Sequence, residues 1–156
     1  MGKPELKHLI TGIDHLPAAM KVVAPALSAL FDSNPDMDVA GALFAMDPAL
    51  AACALRMARA DGDRAVPEKT SIQDAVKAAG LDGLRRAALG VAQTSLPLQP
   101  YQSCLERHLR HALACAACAA HTASHIRLLA PDEAYIAGLL HDVGRLALLA
   151  AMPEDY

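Results

Sequence analysis

An adjacent histidine and aspartate, His141 and Asp142, interrupt an otherwise apolar stretch of the chain, GLLHDVGRLALL. Neighbouring residues on a helix point about 100° apart, but a long imidazole and a short carboxylate can converge on one metal ion when another helix supplies a further ligand. Borderline and hard divalent ions accept such mixed nitrogen and oxygen ligands. The pair also has a plain structural interpretation, in which His141 hydrogen bonds to nearby backbone and Asp142 pairs with Arg145 three residues on.

A further histidine, His111, lies thirty positions before His141 in a predicted helix. Cys115 and Cys118 follow His111 on the same helix face, at spacings of four and three residues. A Cys-x-x-Cys edge could supply two metal ligands or a redox pair. Cysteine also packs as a small buried hydrophobe, and this packing interpretation is favoured for both cysteines.

The remaining histidines carry weaker signals. His121 or Thr122, and then His125, continue the face of His111, but the helix rises about 21 Å from His111 to His125, so these residues cannot all surround one ion. We expect helix-surface or boundary positions for His108, His121 and His125. His8 and His15 lie in a lead-in, residues 1–15, and carry no functional signal.

The elements that must position these residues are helical throughout. Between frequent helix breakers, apolar residues recur at spacings of three and four, which predicts a single-domain all-α bundle of about seven helices. The predicted helices cover approximately residues 18–32, 38–46, 47–60, 70–79, 83–94, 102–129 and 132–151. Residues 61–69 are predicted to form a polar loop.

Helix capping residues support these boundaries. The predicted N-caps are Asp38, Asp47, Asp82, and either Thr70 or Ser71 in a capping box with Asp74. Gly80 is expected to end one helix, and Pro131 with the acidic pair Asp132 and Glu133 to begin the last one. Pro97 and Pro100 mark a joint between an N-terminal half, residues 16–96, and a helix pair, residues 101–151.

Composition bounds the function classes. The chain has 156 residues, enough for one core, and is 54% hydrophobic but only 3% aromatic, so the interior must be built from Ala, Leu, Val and Met. A net charge of -3 gives no electrostatic reason to expect nucleic acid as the main partner. Residues 75–89 superficially resemble a helix-turn-helix with Arg85 and Arg86 as phosphate contacts, but a solvated helix face is favoured.

Four cysteines in apolar or alanine-rich surroundings are expected to be reduced, which favours a cytoplasmic protein. No uninterrupted apolar run approaches the roughly 18 residues of a membrane span, so no membrane partner is expected. Leu6 stands where a myristoylation signal requires Ser or Thr, so no lipid anchor is indicated.

The arrangement of His111, His141 and Asp142 resembles the HD superfamily of phosphohydrolases, and residues 138–145 reproduce its Gly-Leu-Leu-His-Asp-(aliphatic)-Gly-(Lys/Arg) string. The upstream half is similar to HDOD domains, a branch of that superfamily related to HD-GYP domains. The matching elements are Leu16-Pro17, the Asp-Pro-Ala-Leu start at 47–50, the Ser-Ile-x-x-Ala-Val helix at 71–76, and Gly80. The resemblance covers residues 16–156.

This resemblance implies an HD-domain-like bundle and a bacterial regulatory module that acts in signal transduction through contacts with other signalling proteins or domains, with a homodimer as one arrangement. It implies no required cofactor. As an alternative, it implies a metal-dependent phosphohydrolase of a nucleotide or cyclic (di)nucleotide. His111, His141 and Asp142 would then hold Mn, Fe, Mg or Zn to activate water, and Arg145 would neutralise phosphate charge.

Two departures from the family pattern accompany the resemblance. The family's usual Asn-Ser pair is replaced by Arg59-Ala60. HD enzymes close the metal site with an Asp from a helix well downstream, whereas the sequence continues for 14 residues after Asp142, and Asp155 is too near its end to substitute convincingly. The sequence is therefore expected to give a three-ligand set, and it is compatible with an excerpt of a longer protein.

Overall fold

The computed structural model describes residues 13–60, 71–127 and 129–155. It contains helices and turns and, within these ranges, no strand, which confirms the all-α prediction. The helices are α1 (Met20–Leu30), α2 (Met37–Ala45), α3 (Pro48–Ala60), α4 (Ile72–Ser95), α5 (Gln102–Ile126), α6 (Pro131–Leu140) and α7 (Gly144–Ala151), with a 3₁₀ helix at Leu96–Tyr101 between α4 and α5. The predicted loop 61–69, Thr70, and Leu6 and His8 of the lead-in lie outside the described residues.

The starts of α2 and α3 are set by aspartates. Asp47 accepts hydrogen bonds from the backbone N–H groups of Ala49 (2.8 Å) and Leu50 (3.2 Å), so the predicted cap of α3 is confirmed. The predicted cap of α2 was wrong by two residues. Asp36, not Asp38, accepts from the backbone at the helix start, because its extended backbone lets the carboxylate turn back onto the first turn.

Helix α4 begins with the predicted capping box. The Ser71 hydroxyl oxygen accepts from the Asp74 N–H (3.1 Å), and the Asp74 carboxylate accepts from the Ser71 N–H (3.2 Å). Gly80 interrupts the helical backbone as predicted, since its φ of 66° and ψ of 165° are not helical. It introduces a kink at φ +66°, a conformation that glycine adopts without strain, and the chain resumes the helix through Ser95. Asp82, the predicted cap after this glycine, lies 3.5 Å from Arg85 Nη1.

Replacing Ser71 by alanine should lower the free energy of unfolding by about 1 kcal/mol, because the Asp74 N–H loses its acceptor at the exposed start of α4. Urea unfolding followed by circular dichroism measures the change. Ser28→Ala is the matched control, since Ser28 is an exposed residue inside α1 where alanine favours the helix. An equal loss in both variants would contradict the capping role.

The C-terminal helix pair departs from the prediction at the residues that carry His141 and Asp142. The last helix is not continuous from 132 to 151. Three backbone hydrogen bonds here span three residues instead of four: Val143 N–H to Leu140 O, Arg145 N–H to Asp142 O, and Leu146 N–H to Val143 O. A tight turn at residues 141–143 therefore separates α6 from α7 and carries His141 and Asp142. Helix α5 also ends earlier than predicted, at Ile126, with Arg127 in a left-handed conformation (φ 56°).

Residues 131–151, taken as one stretch, are long and apolar enough by length and composition to cross a membrane. Buried core helices of soluble proteins pass the same test. Here the stretch is split by the turn at 141–143. The absence of a membrane partner stays a prediction.

The core is built from small and aliphatic side chains, as the composition predicts. Val23, Phe44, Leu50 and Leu84 are fully buried, so α1, α2, α3 and α4 share one interior. Helix α6 packs along α5. The Tyr135 hydroxyl donates to the carbonyl of Ala45 (3.0 Å), which ties α6 to α2.

Arg85, considered above as a phosphate contact, serves the packing of α4 on α1. Its Nε donates to the Leu30 carbonyl (2.9 Å), and its guanidinium lies 5.1 Å from the centre of the Phe31 ring. Of the two arginines considered as phosphate contacts of a helix-turn-helix, only Arg86 is exposed.

Candidate functional site

His111 of α5 and His141 of the turn after α6 lie side by side. Their ring centroids are 5.2 Å apart, and the ring planes make an angle of 63°. Gly138 permits this approach of the two helices. A Cβ at this position would lie 2.7 Å from both the Ala116 Cα and the Cys115 carbonyl oxygen, which is closer than packed atoms come. The glycine of the GLLHD string is therefore a contact point between α5 and α6.

A hydrogen bond to the backbone orients the His141 ring. Its Nδ1 lies 2.8 Å from the Gly138 carbonyl oxygen, and because a carbonyl only accepts, Nδ1 carries the proton. In the neutral ring, Nε2 then has the free lone pair. Histidines that bind metals characteristically donate their other ring N–H in this way.

Cys115 is the third member of this group. Its Sγ lies 3.9 Å from His111 Nδ1 and 3.8 Å from His111 Nε2. One ligand atom each from His111, Cys115 and His141 can be chosen so that all lie within 4.8 Å of one another. The sequence favoured packing for Cys115, although its four-residue spacing from His111 was visible. Cys118, one turn further on, is exposed.

Asp142 is adjacent to this group but engaged elsewhere. Arg145 Nη1 donates to its Oδ2 at 3.1 Å, the pairing that the three-residue spacing suggested. The donors that share the 4.8 Å limit are the two imidazoles and the thiol, without this carboxylate. Binding of a metal by His111, His141 and Asp142 together stays a prediction.

His108 lies next to the candidate site, a position that the sequence interpretation missed. It was expected at a helix surface or boundary, but both ring nitrogens are buried and have no hydrogen-bond partner among the described residues. Desolvation lowers the pKa of His108, and the charges of Asp142 and Arg145 act on it with opposite sign. His108 therefore lies close to the turn that carries the His-Asp pair, one helical turn before His111. That three-residue spacing was the available signal.

His121 and His125 are exposed at the far end of α5, as expected. Their ring centroids are 4.4 Å apart, and His125 Nδ1 donates to the His121 carbonyl (2.8 Å). The two histidines therefore contact each other within α5.

His15, expected to carry no signal, is a packing residue. Its ring lies against Gly90, where a Cβ would meet its Nε2, and its Nδ1 is 3.5 Å from Cys53 Sγ. Burial lowers the pKa of His15, with a contribution from the nearby Arg56 charge. Burial also raises the pKa of the Cys53 thiol. A thiol held in its neutral form is a poor nucleophile, so this pair is a structural contact.

Comparison with known proteins decides the family. The family model of the HDOD domain matches residues 16–156. The chain belongs to the HDOD family. Solved structures that resemble this HDOD domain include two crystal structures of the MmoQ response regulator from Methylococcus capsulatus str. Bath. One is 29% identical with a TM-score of 0.70 and covers 92% of this chain and 55% of that one. The other is 28% identical with a TM-score of 0.64 and covers 92% of this chain and 58% of that one.

No curated protein matches this HDOD domain. The chain spans just over half the length of the solved relatives. Because both crystal structures are of a response regulator by name, HDOD domains of this kind occur in signalling-associated proteins.

Proposed function

We propose that this HDOD domain is a bacterial, cytoplasmic regulatory module of signal transduction that acts through contacts with other proteins and without catalysis. The observation that carries the proposal is the ion pair between Asp142 and Arg145, 3.1 Å long, beside the two imidazoles. Its family membership and the name of its solved relatives support the signalling class.

The ion pair bears on catalysis because it occupies two groups at once. A phosphohydrolase of the HD type would use the Asp142 carboxylate on a metal ion and the Arg145 guanidinium on phosphate. Here the two groups partner each other, and the side chains are about a third and half exposed, at 29% and 50%. This pairing supports a role that does not involve hydrolysis.

The helices that follow α5 offer a surface for a protein partner. Helices α6 and α7 are apolar, and their apolar side chains divide between the interior and a half-buried face. Leu146 and Leu149 face the interior, whereas Leu140 and Leu148 are half-buried. We propose that a signalling protein covers this surface. Burying its apolar side chains away from water would favour the association.

A turnover assay tests the absence of catalysis. Protein purified without chelator and supplied with Mn²⁺ or Fe²⁺ should hydrolyse bis(p-nitrophenyl) phosphate, cyclic nucleotides and cyclic dinucleotides no faster than His141→Ala. Metal-dependent turnover that disappears in His141→Ala would contradict the proposal and favour the phosphohydrolase.

Site-specific photocrosslinking tests the partner surface. A photoreactive amino acid placed at Leu148 in bacterial cells that make the protein should crosslink reproducibly to one protein that carries a signalling domain. The matched control is the same residue at Gln93, which is exposed on α4. Crosslinking to no such protein from Leu148, or equally from both positions, would overturn the proposed surface.

A further inference from the structure

We infer that His111, Cys115 and His141 form a binding site for a borderline divalent metal ion of the Zn²⁺ class, with the thiolate of Cys115 as the third ligand. This site differs from the ligand set that the family resemblance implies, because sulfur replaces the Asp142 carboxylate. The inference does not depend on the proposed function, since a metal can stabilise a non-catalytic domain.

The distance between Cys115 and His111 fits tetrahedral coordination with a small adjustment. Zn²⁺ binds thiolate sulfur at about 2.3 Å and imidazole nitrogen at about 2.0–2.1 Å, so a sulfur and a nitrogen in one tetrahedral shell lie about 3.6 Å apart. The Cys115 Sγ is 3.8 Å from His111 Nε2. Side-chain rotation of a few tenths of an ångström closes the difference. All three ligand atoms can already be chosen within 4.8 Å of one another.

Secondary structure positions each donor. His111 and Cys115 are four residues apart on α5 and therefore share a face. His141 reaches them from the turn after α6, and the close contact of Gly138 with Cys115 and Ala116 holds that turn against α5. The bond from His141 Nδ1 to the Gly138 carbonyl leaves Nε2 as the ligand atom.

Exposure and charge also suit a metal. His111 and His141 are exposed and Cys115 is half-buried, so an ion can reach the donors without unfolding. Two neutral imidazoles and one thiolate leave the centre with a net charge of about +1 around a divalent ion. Binding converts the Cys115 thiol to thiolate and releases its proton.

The donor types select the metal. A thiolate with two imidazoles favours Zn²⁺ or Co²⁺ over Mg²⁺ and Ca²⁺, which prefer oxygen ligands. Three protein donors leave a fourth position for water or another ligand. His108, whose ring nitrogens are buried and unpartnered among the described residues, lies one turn from His111 on the same face and is a nearby polar group without a satisfied role.

Titration of the metal-free protein with Co²⁺ tests the site. The wild-type protein should bind one equivalent and develop visible d–d absorption of tetrahedral intensity together with a thiolate-to-cobalt charge-transfer band in the near ultraviolet. Zn²⁺ should displace Co²⁺ and abolish both signals. Mg²⁺ in large excess should not.

Three variants separate this site from its alternatives. Cys115→Ser should lose the charge-transfer band and weaken Co²⁺ binding by about tenfold or more. His141→Ala should weaken Co²⁺ binding to a similar extent. Cys118→Ser is the matched control, an exposed cysteine on the same helix, and should retain both band and affinity. Circular dichroism of the metal-free variants checks that each is folded.

Three outcomes would overturn the inference. The first is the absence of Co²⁺ and Zn²⁺ binding by the wild-type protein. The second is a charge-transfer band that survives in Cys115→Ser and disappears in Cys118→Ser. The third is binding that persists in Cys115→Ser but is lost in Asp142→Asn, which would indicate an oxygen-rich site. Failure of the proposed function would appear separately, as metal-dependent turnover.

Discussion

Replacing Gly138 by alanine should lower the free energy of unfolding by about 1–3 kcal/mol, the usual range for forcing an extra carbon into a packed interface. The added Cβ would meet Ala116 Cα and the Cys115 carbonyl oxygen at 2.7 Å. Because both contacts are backbone atoms of α5, no flexible side chain can move aside, and α6 must shift away from α5. Urea unfolding monitored by circular dichroism measures the loss.

The matched control is Gly144→Ala, a second glycine of the same stretch. A Cβ at Gly144 meets nothing within 4 Å, and the residue is the first of α7, where alanine favours the helix. Its unfolding free energy should stay unchanged or rise slightly. Gly138→Ala should also separate His111 from His141 and weaken Co²⁺ binding. Equal stability of the two variants would show that the close approach of α6 to α5 is wrong.

Removing the carboxylate of Asp47 should have the second large effect. Asp47 is 2% exposed, and its Oδ1 is the acceptor for the N–H groups of Ala49 and Leu50. Asp47→Ala leaves both buried amides without that acceptor, so the unfolding free energy should fall by about 2 kcal/mol, the upper end for loss of a helix cap. Asp47→Asn keeps a capping oxygen and should lose much less.

The same residue predicts a pH dependence of stability. Burial raises the pKa of Asp47 from 3.8 to about 6, against the lowering effect of its two backbone bonds. Between about pH 4 and pH 6 the folded protein therefore holds a proton that the unfolded chain has released, so this group's contribution to stability falls as the pH rises through that window. Above pH 6 the buried carboxylate is charged in the folded state.

Asp47→Asn should lack this decline because it carries no titrating group at the position. The measurement is the difference in unfolding free energy between wild type and Asp47→Asn at pH 4.5 and at pH 7.5. His15, whose pKa is lowered by burial, contributes with the opposite sign, but it is present in both proteins and cancels in the difference. A difference that does not change with pH would contradict a buried, raised-pKa carboxyl group.

Local chemistry made several elements predictable. Asp47 before Pro48, and Ser71 with Asp74, form the caps that their sequence spacing predicts, since a cap requires only residues within one turn. Helix identity followed in the same way from apolar periodicity. The cap of α2 was misplaced because Asp36 and Asp38 are both suitable residues, and the backbone conformation at 36 decided between them.

The turn at 141–143 was not predictable from periodicity. The apolar pattern continues on both sides of it, so the sequence indicates one helix through residue 151. The His141 ring bonds to the Gly138 carbonyl and the backbone closes three-residue turns, and both arrangements depend on how α6 packs against α5. Gly144 is compatible both with a continuous helix and with a turn at this point.

By itself, the sequence determined the helical class, most helix boundaries and the HDOD resemblance, because motifs and caps act over short distances along the chain. Only the tertiary structure placed Cys115 beside the two imidazoles and buried the nitrogens of His108. These relations join residues of α5 to a turn about thirty positions away, and helix packing across the contact at Gly138, rather than local spacing, sets such distances.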